Sequence, residues 1–463
     1  MRADVLAEPI AGLDEALMAA DTFDRTLVGG LLRPQPTQAA GLAELACAVA
    51  GTPLASPVAK AAEKAAAGAA SEDHLVVLAT ARTALLGSVH DALMARIDEA
   101  TGRTRISGTA PAPREPQATN LLAAARSWLC DLARAGWRGI DHGLVSGSAQ
   151  VVSAMLPNPA LRRLAALLDG FAAELASSCP GAALERIPVR RWADLWSRAM
   201  LLTQPRAAEV PVTGAATGRL LPLGVDLHEH TTAAQAQVHA VFEPADGTAP
   251  RLVRASVLAP KPDTVVGVGV WQLLRPCMSL LTACSEGRSM NVADIPITVD
   301  GDLIWNDKQA CLGEPAGAFA TARVALPVAL AAATTPLDRH PARIAEPVFL
   351  EDYGVQEHDG VLTFAVAGHR LAVDADRIPA AGPLTPGTVA MSNACIGLLR
   401  WDAGTFSVQP IAVETTRKKK KSVAVHAGAW AGGAADRDGA KAEKAATEAV
   451  VVLRERARRL LRK

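Results

Sequence analysis

Asp226, His228 and His230 occupy alternate positions in the stretch DLHEH, and His239 follows across a short hairpin. In an extended chain alternate residues share a face, so these three side chains would project together, as the ligands of a metal must. A metal-dependent hydrolase is the chemistry such a face would serve. No downstream His/Asp pair at a recognisable spacing completes a hydrolase set. An alternating polar face is also the ordinary solvated side of an antiparallel strand. The sequence therefore predicts no metal ligand, no cofactor and no catalytic residue, with the hydrolase kept as an alternative.

Other chemical signatures are thinner. No GxxxxGK[ST] occurs, and Gly267 and Gly269 form a lone GxG inside VVGVGVW, which reads as a kink or bulge in a strand. No GxSxG elbow exists, and Ser146 in GLVSGS lacks the strand-turn-helix setting that such a nucleophile needs. Asp338, Arg339, His340 and Glu346 lie in LDRHPARIAEPVF, whose two prolines predict an ordered loop carrying a surface charge network. The cysteines at 47, 130, 179, 277, 284, 311 and 395 are odd in number and never in a CxxC or Cys/His ligand spacing. Reduced thiols in a cytosolic protein are expected rather than a disulfide framework.

Charge is the remaining chemical resource. Lys plus Arg equals Asp plus Glu at 47 each, so no global field recommends nucleic acid or membrane. From Thr416 to Lys463, however, 14 Lys/Arg face 5 Asp/Glu, a net of +9 that leaves −9 on the rest. Arg417, Lys418, Lys419, Lys420 and Lys421 are the predicted partner-binding residues, able to meet an acidic protein or nucleic-acid phosphate. No interleaved aromatics or RNA-binding signature accompany them. The final helix carries Ala446, Val450, Leu453, Ala457 and Leu460 in a narrow stripe suited to a partner helix.

These residues must be held by elements that the periodicity predicts. Residues 1–205 are Ala- and Leu-rich with a helical period, giving an all-α domain. One helix is marked by Leu13, Leu17 and Ala20, the longest runs from His74 to Glu99, and others follow Asn120 and Asn158. Pro188 to Thr203 puts Trp192, Leu195, Trp196, Ala199 and Leu202 on one face. The sequence predicts that face as the joint between the two halves of the protein, with Arg190, Asp194 and Arg198 in solvent opposite. Residues 206–415 read as an antiparallel β-rich domain, barrel- or sandwich-like. Hairpins are expected at Asp246-Gly247, Asp300-Gly301 and Asp359-Gly360, and one helix between Trp271 and Cys284. Residues 416–463 are expected as a separable basic arm with an amphipathic helix. The acidic N-terminus lacks a signal-peptide pattern and the longest apolar run is too short for a membrane span, so a soluble, cytoplasmic protein is expected.

At RSWLCDLARAGWRGIDHGLV (126–145), RRWADLWSRAMLL (190–202) and VFLEDYGV (348–355) the chain resembles uncharacterised actinobacterial proteins encoded beside MoxR-type AAA ATPases, von Willebrand factor A proteins and SWIM zinc-finger proteins. The likeness spans most of residues 1–415 and leaves the basic tail outside. It implies an accessory component of an ATP-driven assembly, with biological conflict as one setting. The neighbours' ATPase motifs and zinc ligands are absent from this chain, so neither activity carries over. A non-catalytic adaptor or scaffold is the expected function. A nucleic-acid-associated protein using the tail and the metal-dependent hydrolase are the alternatives.

Overall fold

A computed structural model describes residues 1–106, 119–158, 160–181, 184–204, 207, 212–230, 233–262, 265–358, 360–402, 404–416, 422–433 and 437–460. The helical half comprises α1 (Ala3–Ala7), α2 (Leu13–Gly29), α3 (Pro36–Ala48), α4 (Ala55–Ala66), α5 (Glu72–Thr101), α6 (Thr119–Ala135), α7 (His142–Ser146), α8 (Ser148–Met155), α9 (Arg162–Ser178) and α10 (Val189–Leu202). Caps set the boundaries. Ser71 and His74 close a reciprocal box at the start of α5, and Gly102 ends it in the left-handed region at φ 67°. The ends of α2 and α6 touch so closely that a Cβ on Gly136 would lie 2.2 Å from the Gly30 nitrogen. Both residues also hold positive φ, which glycine adopts without strain.

Two findings revise the expected joint. Trp192 and Trp196 are buried as the helical spacing requires, but inside the helical core: Trp192 meets Trp137 edge-on and Trp196 Nε1 donates to the Leu129 carbonyl. Their face therefore does not join the halves. The main apolar joint is α5, about 45 Å long at 1.5 Å per residue, and α2 accompanies it with Phe23 and Leu27 in the helical core and Leu13 and Leu17 against the sheet. The first half of α5 (Leu75, Leu78, Ala79, Ala81, Leu85) lies in the helical core. Its second half (Val89, Leu93, Met94, Ile97, Ala100) packs with Val348, Leu350, Phe364 and Val408 of a β-sheet. The α1 helix joins that second core through Val5 and Leu6.

The β-rich half runs β1 (Val212–Glu229), β2 (Ala233–Pro244), β3 (Arg251–Pro260), α11 (Gly269–Leu273), α12 (Met278–Glu286), β4 (Arg288–Thr298), β5 (Asp302–Leu303), β6 (Ala310–Pro315), α13 (Ala318–Val324), β7 (Glu346–Glu351), β8 (Gly354–His358), β9 (Val361–Val366), β10 (His369–Val373), α14 (Pro386–Ala390), β11 (Ala394–Asp402), β12 (Thr405–Thr416), β13 (Ser422–His426) and a terminal α15 (Arg437–Leu460). In the first sheet β1 pairs with β2, β2 with β3, β3 with β5, β5 with β4, and β4 returns to β1. Five strands thus close a ring and β6 extends from β4. The second sheet is ordered β7-β11-β12-β10-β9-β8, with β13 on β12. Among the described residues the strand-to-strand pairings are antiparallel except for short β3–β5 and β10–β12 contacts, and single parallel bridges join Arg251 to Leu330 and Arg105 to Ala331. The mixed helical and β-rich architecture expected from the sequence is the one found.

Register between the sheets depends on a bulge in β1 between Pro222 and Gly224. Before it Leu220 faces the barrel core; after it Val225 and Leu227 do, while Leu221 and Leu223 pack with Ile396, Leu398 and Ile411 of the second sheet. A bulge inserts one residue and so flips the alternation, which aims Asp226 at the second sheet. The GxG stretch is not a strand kink: Gly267 turns the chain at φ 59° and Gly269 opens α11. Pro276 sits in a short 3-10 turn between α11 and α12, the interruption its position predicts.

The separable arm is also revised. Ser422–His426 completes the second sheet beside β12, and Ala427 and Ala431 are buried. A Cβ on Gly428 would press on Val225 at 2.9 Å, and one on Gly382 on the Ala427 carbonyl at 2.1 Å. Residues 422–433 therefore belong to the body. Beyond them, α15 touches it at Gly269 and through a Gln272–Thr447 hydrogen bond of 3.2 Å. Among the described residues no helix is long and apolar enough to cross a membrane.

Two expectations follow from these contacts. Leu93→Ala should cost about 2–5 kcal/mol, the usual range for truncating a buried leucine. Helical and sheet signals in circular dichroism should then melt together at a lower temperature; two separated transitions would show that α5 does not couple the cores. Ending the chain at Thr416 should lower the melting temperature clearly, whereas ending it at Gly433 should change it by a few degrees at most.

Candidate functional site

The polar face of α10 meets the loop between α13 and β7, and a network of ion pairs gathers there. Arg82 of α5 and Asp24 of α2 are each only 2% exposed at the side chain. Arg82 Nε and Nη2 donate to the two Asp24 oxygens at 2.5 and 2.7 Å, a bidentate pair, and Nη2 lies 2.6 Å from Asp194 Oδ1. Burial pushes the Asp24 carboxyl up to about 6 against the attraction of Arg82. Asp194 is also opposed by burial, but the His340 hydrogen bond and the Arg82 guanidinium outweigh it and hold that carboxyl down at about 2.

His340 lies between two partners. Its Nδ1 accepts from the Ala342 N–H at 3.1 Å, so the proton is assigned to Nε2, which donates to Asp194 at 3.1 Å. Pro341 starts the 3-10 turn Pro341–Arg343 that fixes this geometry. Two residues earlier, Asp338 collects Arg163 of α9, Arg198 of α10 and Arg343 of its own loop, and accepts from Thr335 Oγ1 at 2.9 Å. Burial and the neighbouring Arg343 push Arg198 down to about 10 despite Asp338. Three guanidiniums share one carboxylate. The predicted surface network of Asp338, Arg339, His340 and Glu346 is thus a partly buried lock between helices and sheets. Asp194 and Arg198, expected in solvent, form its other half.

The lock continues along the seam. Glu346 accepts from Arg103 at 3.1 Å, Arg105 ties Glu346 to Asp98, and Arg254 holds Asp302 at 2.8 Å. Next to them His239 is buried at 1% exposure with neither ring nitrogen hydrogen-bonded among the described residues. Burial pushes its imidazole down to about 3, more than the Asp226 carboxylate can offset.

The candidate metal face is occupied otherwise. Asp226 and His228 do share a face, at 2.9 Å, but Asp226 is 3% exposed and accepts from Arg400 Nη2 at 2.6 Å and Gln409 Nε2 at 2.8 Å. Its oxygens bind the two sheets together. His230 is exposed at the strand end. Among the described residues no group of three or more His, Cys, Asp or Glu could hold a metal ion. The residue types of a hydrolytic triad meet at Ser197, His340 and Asp194, yet both His340 nitrogens are engaged and Ser197 Oγ has no hydrogen-bond partner among the described residues. No base is available to that hydroxyl. Ser146 Oγ donates to the Gly143 carbonyl. The predicted partner-binding residues Arg417 to Lys421 lie outside the described residues.

We found no family model, curated protein or solved structure that matches the chain.

The His239 environment generates a pH test. In the fold its imidazole stays neutral down to about pH 3, whereas the unfolded chain protonates it near the ordinary value of 6.5. The folded value is depressed, so this stabilisation is complete above 6.5 and is lost as pH falls toward 3. Between pH 7 and pH 5 the protein should lose about 2 kcal/mol more than His239→Leu does, at 1.36 kcal/mol per unit. Denaturant melts at the two pH values measure this, and equal losses in both proteins would refute the burial argument.

Proposed function

We propose that the protein is a non-catalytic adaptor or scaffold of an ATPase-associated assembly in the cytoplasm, with a MoxR-type ATPase as first candidate partner and biological conflict as one setting. One observation carries this reading: the buried carboxylates that could do chemistry are spent on fixing two modules in one frame. Asp24, Asp194 and Asp338 are matched by guanidiniums at the joint, and Asp226 by Arg400, Gln409 and His228 between the sheets. A rigid two-module body with a protruding helix suits the presentation of surfaces. In α15, Val451 and Val452 are each 48% exposed, and Arg456, Arg458 and Arg459 are exposed beyond them. Together with Arg417–Lys421 this tail is the proposed partner-facing element.

The same basic helix favours a second reading, contact with nucleic-acid phosphate. Two measurements separate them. A tagged full-length chain should co-purify with the MoxR-type ATPase from its native host, and a chain ending at Gly433 should not while staying folded. Recovery of the full chain without the ATPase would refute the adaptor reading in this form. Under the nucleic-acid reading, fluorescence anisotropy with duplex or single-stranded DNA should show an affinity that falls steeply and log-linearly with salt.

A further inference from the structure

The cleft between α5, α10 and the 337–343 segment is lined by Arg82, Arg198, Arg339 and Arg343, with Asp194, Ser197 and His340. Its charges do not balance. Five guanidiniums (Arg82, Arg163, Arg198, Arg339 and Arg343) are paired with four carboxylates (Asp24, Asp91, Asp194 and Asp338), and the surplus cation falls where Arg163, Arg198 and Arg343 share Asp338. Arg198 and Arg343 each spend a single nitrogen on Asp338 among the described residues, so further N–H donors remain on both planar groups. Arg339 uses Nε on the Thr334 carbonyl and Nη1 on Asp91, which leaves Nη2.

Ser197 supplies an independent sign. The residue lines the cleft at 1% exposure, and its buried hydroxyl has no hydrogen-bond partner among the described residues. A buried hydroxyl left unpaired costs free energy, and native proteins rarely tolerate one without an acceptor at hand. Excess guanidinium together with an unused hydroxyl donor matches a compact anion with several oxygens. The cavity of about 150 Å³ is below the range of drug-sized ligand sites, so a small group fits it and a nucleotide does not.

We propose that this cleft is a binding site for a phosphate group, received by Arg198, Arg343, Arg339 and the Ser197 hydroxyl at the joint of the two halves. The site is independent of the adaptor reading, because it concerns a small anion in the body and not the tail. Bound phosphate would bridge α10 to the loop that holds His340, stabilising the relative placement of helices and sheets by mass action.

Isothermal titration of the full chain with inorganic phosphate and with glycerol 3-phosphate, against chloride and citrate at matched ionic strength, tests it. Phosphate should bind at least tenfold tighter than citrate and raise the melting temperature. Glycerol 3-phosphate tighter than inorganic phosphate identifies the source as a phosphorylated metabolite, and equal affinities identify free phosphate. Arg343→Gln should weaken binding at least tenfold. Should that variant unfold, Arg339→Gln and Ser197→Ala decide, each with an expected loss of several-fold. Phosphate no tighter than citrate, or unchanged affinity in every folded variant, overturns the proposal.

Discussion

One helix belonging to two hydrophobic cores is the constraint on which the arrangement depends. The α5 helix runs unbroken from Glu72 to Thr101, across Gly87 and Ser88, so whatever packs on its first half is placed relative to whatever packs on its second. At the crossing, the buried Arg82 guanidinium adds a chemical condition. A buried charge stripped of its partner costs about 3–5 kcal/mol, so Asp24 and Asp194 must both arrive, which fixes α2 and α10 around α5. Asp194 then positions His340, and Arg198 one turn later positions Asp338. The charged lock is thus a consequence of the shared helix, extended outward one residue at a time.

The sheets obey a comparable rule. The β1 bulge sends apolar side chains to both the barrel core and the inter-sheet core, and aims Asp226 into the second of these. Satisfying that carboxylate requires Arg400 of β11 and Gln409 of β12. A slip of one residue would strand the carboxylate in the apolar barrel core and take Leu221 and Leu223 out of the inter-sheet core. The Asp226 cluster is therefore better understood as a register device than as a ligand set.

Most of the elements are legible in the sequence because their signals are local. The stripe Leu75 to Ile97, the turns at Asp246-Gly247 and Asp300-Gly301, and Pro276 each act within a few residues, and each sits where the pattern places it. What was not legible depends on distant partners. Nothing within α10 tells whether Asp194 and Arg198 face solvent or a loop around residue 340. The Trp192/Trp196 face shows that it must be buried, without saying in which core. The separable-arm expectation failed for the same reason: Ser422–His426 is a weak strand pattern until β12 offers it an edge. The site residues Arg82, Arg163 and Ser197 carried no sequence signal beyond single polar residues on helices. An arginine inside the apolar stripe of the longest helix was the one available hint.

The placement of α1 and β13 has a consequence for how the chain comes to be. Val5 and Leu6 rest in the core built by Val373, Val408 and Val413, which lie far downstream in the chain. Ser422–His426, further downstream still, pairs with β12 in the sheet on which that core stands. During translation the helical bundle can collapse on its own contacts, while the N-terminal segment and the underside of α5 have nothing to cover them until the strands near residue 400 have left the ribosome. Such long sequence separations slow folding and lengthen the exposure of apolar surface and unpaired strand edges. A nascent chain stalled before β13 would therefore present a preorganised helical bundle beside an open, aggregation-prone sheet, and chaperone dependence should concentrate in that interval.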